Sequence, residues 1–131
     1  MLMEIYFDGN KKVNARYNGN IIKTDQPSEA GGDGSAPAPF DLFLASIGTC
    51  AGIYVKSFCD KRGIATDNIR LTQEMEYDFD KRLISRVKIG IQLPNDFPEK
   101  YKDAVVNAAN LCAVKKHLLE APELEVTSEI N

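Results

Sequence analysis

Three cysteines and one histidine, Cys50, Cys59, Cys112 and His117, are the side chains of this sequence with access to thiol or metal chemistry. The cysteines are odd in number and no pair has CxxC spacing, so a framework of structural disulfides is not expected; reactive thiols or metal ligation stay open. Zinc takes three or four ligands at recognisable spacing, and Cys112 with His117 offers two, so no metal site is expected. Cys50 stands among small residues, Gly48, Thr49, Ala51 and Gly52. A glycine costs a helix about 1 kcal/mol against alanine. Two of them around one cysteine imply a close approach, either by a packed element or by a substrate. Cys59 lies half a turn round the same helix from Cys50, so it cannot pair with Cys50 and is expected to pack.

The elements that must hold these residues follow from periodicity and turn chemistry. Asp8-Gly9-Asn10 and Asn18-Gly19-Asn20 are hairpin turns separating strands at Glu4–Phe7, Val13–Tyr17 and Ile21–Lys23. A Gly/Pro-rich surface loop, Pro27 to Pro39, comes next, and its acidic neighbours Asp25, Glu29 and Asp33 are expected to be solvated. Phe40 to Arg62 forms a long helix, with Pro39 at its start, Asp41 at the positive dipole end, and Lys61-Arg62-Gly63 as its stop. Its first half is apolar almost all round, so it must be buried on most sides, and a chain this small predicts a partner subunit on the second face. A half-buried antiparallel hairpin follows, Ile69–Tyr77 and Leu83–Leu93, with a period of two. A helical pattern with room for a kink then runs from Pro98 to Leu119, ending in the basic Lys115-Lys116-His117, and Leu124–Ser128 alternates as a final strand.

The 131 residues suffice for one domain, 1–131, of α+β class. A net charge of −3 and an isoelectric point near 5.2 argue against nucleic acid. The longest apolar run, Leu42–Val55, is interrupted and short of the ~20 residues of a membrane span, so no membrane partner is expected. The N-terminal residues lack a basic start and a cleavage site, which makes the cytoplasm the expected compartment.

The segment Ala38-Pro39-Phe40-Asp41-Leu42-Phe43-Leu44-Ala45-Ser46-Ile47-Gly48-Thr49-Cys50 resembles the helix motif of the OsmC/Ohr proteins. Asn110-Leu111-Cys112-Ala113-Val114 is similar to the region of their second cysteine, and the order of elements agrees over essentially the whole chain. The resemblance implies an OsmC-like fold, antiparallel sheets around a long buried central helix in an intertwined homodimer with sites at the interface. It implies thiol-dependent reduction of organic hydroperoxides and, less readily, hydrogen peroxide. Cys50 then matches the attacking cysteine and Cys112 the resolving one, with an external dithiol as reductant and no cofactor. Arg16, before an early glycine turn, matches the cation that favours thiolate, and Asp41 the carboxylate that orients it. Asp41 precedes Cys50 by nine residues, about 13 Å of helical rise, so it can act only through Arg16. Two positions depart from the family's pattern: Asp41 after Phe40 stands for a glutamate directly after the proline, and Ala113 stands where a proline commonly follows the second cysteine.

Two other functions compete with an oxidative-stress peroxidase. A redox-silent relative would keep the fold and use an apolar pocket for a small ligand, and a different thiol activity, such as acyl or persulfide transfer, is the third reading. Retention of both Cys50 and Cys112 favours the peroxidase, because a pocket needs no resolving thiol.

Overall fold

The computed structural model describes all 131 residues. Ten elements follow one another: β1 (Glu4–Phe7), β2 (Val13–Tyr17), β3 (Asn20–Ile22), a 3-10 turn (Ser28–Ala30), α1 (Pro39–Asp60), β4 (Arg70–Asp78), β5 (Leu83–Gln92), a second 3-10 turn (Glu99–Tyr101), α2 (Lys102–Ala109) and α3 (Ala113–Leu119). The class is α+β, with two separate antiparallel sheets, β1-β2-β3 and β4-β5. The chain forms two compact units, residues 1–45 and 46–131, and α1 begins in the first and ends in the second.

In the first unit the turns set the register. Asn18 and Gly19 both have positive φ, 49° and 76°, the pair of values a tight two-residue hairpin requires. β1 pairs with β2 so that Glu4 lies opposite Arg16. The following loop lies at the surface, as expected, but the aspartate that leads into it does not. Asp25 is fully buried, which corrects the expectation for it. Its carboxylate accepts from Gln26 N at 2.7 Å, Ser35 N at 3.0 Å and Ser35 Oγ at 2.5 Å. Three donors to one charge offset its desolvation and hold its pKa down at about 2, the Ser35 side chain contributing most. Asp33 is exposed, as expected, and pairs with Lys12 at 2.8 Å at the surface.

In the second unit the core gathers Val55, Phe58 and Cys59 of α1 with Phe97 and Val105, and Leu71 and Ile91 of the hairpin pack on it. Arg62 closes α1: its Nη1 donates to Phe58 O at 3.0 Å, and its guanidinium lies 3.7 Å over the Phe58 ring. By length and composition α1 reaches what a membrane span needs, which the interrupted run Leu42–Val55 did not indicate. Packing of Val55, Phe58 and Cys59 into this core accounts for the apolarity of its C-terminal turns.

As expected of a helix that so small a chain cannot cover alone, α1 leaves Phe40, Phe43 and Ile53 exposed within one chain. One expectation changes. The strand expected at Leu124–Ser128 is absent, and residues 121–131 carry no regular structure. The alternation there defines two faces, but a strand also needs a neighbouring edge to bond, and none is supplied. The kink allowed for between Pro98 and Leu119 is a break, with residues 110–112 outside both α2 and α3.

Candidate functional site

The four candidate residues divide between the units, Arg16 and Asp41 in the first, Cys50 and Cys112 in the second. All three thiols are free. Gly48 and Gly52 have an identifiable neighbour: a Cβ on Gly48 would stand 2.5 Å from Gln73 Oε1, and one on Gly52 would stand 3.8 Å from Leu71 Cδ2. Gln73 and Leu71 lie on one face of β4, so the close approach inferred from the glycines is that of the hairpin. At about 100° per residue, Cys50 projects from the opposite side of the helix, and its side chain is half-buried. Cys59 points the other way into the core, fully buried, and burial pushes its thiol pKa up. That is the environment of an inert packing thiol.

Cys112 has an extended backbone, φ −61° and ψ 141°, and its sulfur accepts the backbone N–H of Lys115 at 3.2 Å, which caps α3. The thiol is buried, yet it faces a cavity of about 340 Å³. Val87, Ile89 and Ile91, alternate residues of β5, form one wall, and Ile47 and Ala51 of α1 form another. Val106 and Ala109 close the α2 side, Asn110 and Cys112 stand at the break between α2 and α3, and Lys115 and Leu118 of α3 complete the lining. Cys50 is not in this lining. The residue after it and the residue one turn before it are.

Arg16 pairs with Glu4 (Nη1 to Oε1, 2.8 Å) and lies 4.7 Å over the Tyr6 ring. Asp41 is exposed in the first turn of α1. A ring nitrogen of His117 meets Ala113 O at 2.7 Å within α3. Three residues had escaped the sequence reading. Glu4 was legible, since the turn at Gly9-Asn10 fixes it opposite Arg16. Asn110 and Lys115 were not, because nothing local reveals that they border a cavity.

A family model described as OsmC-like protein matches residues 32–127. Among curated proteins no match was found. A Psychrobacter arcticus structure, named for osmotic stress induction and a detoxification response, superposes with TM-score 0.71 at 24% identity, covering 87% of this chain and 85% of that one. An OsmC-like protein of Mycoplasma pneumoniae gives TM-score 0.69 at 10% identity, with 91% and 86% covered. The organic hydroperoxide resistance protein OsmC of Legionella pneumophila gives 0.53 at 18% identity, with 89% and 87% covered.

Proposed function

The chain belongs to the OsmC-like protein family, and on that premise we propose that it is a thiol peroxidase of organic hydroperoxides, and less readily of hydrogen peroxide. The observation that carries this reading is that the loop of Cys112 and the turn of α1 bearing Cys50 border one apolar cavity, through Ile47 and Ala51. Cys59, the third thiol, is taken up by the core.

The Cys50 thiolate attacks the terminal peroxide oxygen. The O–O bond breaks, the alkoxide leaves and takes a proton as alcohol, and Cys50 becomes a sulfenic acid. The Cys112 thiol attacks that sulfur, water leaves, and a Cys50–Cys112 disulfide forms. An external dithiol reduces it and is itself oxidised to a disulfide, so no cofactor takes part. Arg16 favours the thiolate by its charge, and Asp41 orients Arg16, with Glu4 as a further carboxylate on the same guanidinium. The working unit is an intertwined homodimer in the cytoplasm, where thiols stay reduced. Support for the dimer comes from exposed Phe40, Phe43 and Ile53 on α1, and from Leu124, Val126 and Ile130, which one chain leaves at 89–102% exposure.

One observation favours a second reading, a redox-silent ligand-binding protein: Cys50 is outside the cavity lining. Consumption of cumene hydroperoxide with excess dithiothreitol separates the two. Catalytic loss with the wild type and none with Cys50→Ser supports the peroxidase. Equal, negligible loss with both moves the function to ligand binding.

A further inference from the structure

The cavity beside Cys112 has an asymmetry that the peroxidase chemistry does not use. Its body is apolar: aliphatic residues of β5 and α1 on two walls, Val106 and Ala109 on a third. Lys115 is the sole charged residue of the lining, and Asn110 the sole amide. The two are already joined, Lys115 Nζ donating to Asn110 Oδ1 at 2.7 Å. That bond uses the acceptor of the amide and one N–H of the ammonium. It leaves the Asn110 Nδ2 hydrogens and two ammonium N–H groups as donors at one edge, with no carboxylate in the lining to engage them. Lys115 is exposed, so its charge stays hydrated at the cavity's edge while the interior is apolar.

From this we infer that the cavity binds an amphipathic organic anion, its hydrocarbon tail between β5 and α1 and its carboxylate bridging Lys115 Nζ and Asn110 Nδ2. The volume, about 340 Å³, is at the small end of ligand pockets (~300–1,000 Å³) and equals about eleven water-sized groups, which fits a medium-length chain rather than a long one. Lys115 is thus a specificity-determining residue for the anionic head. A purely apolar ligand would leave those donors without an acceptor, and a cationic head would meet Lys115 with like charge. The inference stands apart from the peroxidase reading, because a ligand without a peroxide bond binds and is not turned over.

Calorimetric titration of the reduced full-length protein with decanoate, 1-decanol and decyltrimethylammonium tests it. Decanoate should bind about tenfold or more tightly than decanol, as expected for a charge-assisted hydrogen bond, and the cation most weakly. Lys115→Gln should remove the preference for decanoate over decanol while decanol binding persists. Ala109→Leu, which fills the cavity from α2, should weaken decanoate and decanol together. Absence of binding by every probe, as when a second copy of the chain fills the cavity, overturns the inference. So does equal binding of the three head groups, a uniform loss in Lys115→Gln, or decanoate binding unchanged in Ala109→Leu.

Discussion

The backbone N–H of Lys115 points at the sulfur of Cys112, 3.2 Å away, and this bond marks the place where one helical pattern becomes two. α2 ends at Ala109 and α3 starts at Ala113, directly after the capping cysteine. Proline suits the first position of a helix, and the resemblance leads one to expect it there. The bend forms with Ala113 in that place, the thiol serving as cap acceptor. The second cysteine therefore has a structural task separate from any redox one.

The two tasks can be separated by substitution. Cys112→Ser keeps an acceptor at the cap, whereas Cys112→Ala removes it at a cost of about 0.5–1 kcal/mol. Urea denaturation should place the alanine variant's midpoint below the serine variant's. Both should give one turnover with hydroperoxide and then stop, with a trappable sulfenic acid on Cys50. Identical midpoints would remove the cap from the account.

Gly48 and Gln73 form a second pair open to measurement. Alanine exceeds glycine in helix propensity by about 1 kcal/mol, but a Cβ on Gly48 would stand 2.5 Å from Gln73 Oε1. Gly48→Ala should therefore bring little net stability alone and a clear gain in a Gln73→Ala background. A double-mutant cycle should show coupling of about 0.5 kcal/mol or more. An additive cycle would mean that Gln73 yields freely and that the glycine has another cause.

Asp25 predicts the acid limb of stability. Its folded pKa, about 2, lies below the ordinary 3.8, so the unfolded chain takes up the proton first as pH falls. The stabilisation is present above about pH 4 and disappears as pH drops through about 2. Denaturation followed between pH 5 and pH 2 should give a steeper decline for wild type than for Asp25→Asn. Parallel curves would show that the buried carboxylate does not drive acid unfolding.

The exposed apolar residues predict assembly. Sedimentation at micromolar concentration should give a dimer, burying well over ~2,000 Å² as obligate interfaces do. Deletion of residues 121–131, which removes Leu124, Val126 and Ile130, should weaken it. A monomeric wild type would leave Phe40, Phe43 and Ile53 without a reason to be apolar.

Where local chemistry decides, the sequence was enough. β1 and β2 fall at the expected residues because Gly9-Asn10 and Asn18-Gly19 need positive φ, and α1 stops where Arg62 and Gly63 stop it. The opposite faces of Cys50 and Cys59 follow from helical geometry, and their different burial agrees. What escaped depends on partners distant in sequence. Leu111-Cys112-Ala113 contains no helix breaker, so the sequence admitted a kink between Pro98 and Leu119 without giving its place. Asp25 is buried because Ser35, ten residues on, supplies two donors. Leu124–Ser128 has the alternation of a strand without an edge to join. Lys115 was read correctly as part of a basic helix end, but its place beside a cavity depends on β5 and α1.

The central claim is that Cys50 and Cys112 form the redox pair and Cys59 does not. The direct measurement is mass spectrometry of the reduced protein after one equivalent of cumene hydroperoxide, with free thiols blocked before digestion. The account predicts a Cys50–Cys112 disulfide peptide, with Cys59 recovered as a blocked thiol. A disulfide or oxidised sulfur at Cys59 with Cys50 still reduced, or all three thiols intact, would contradict it.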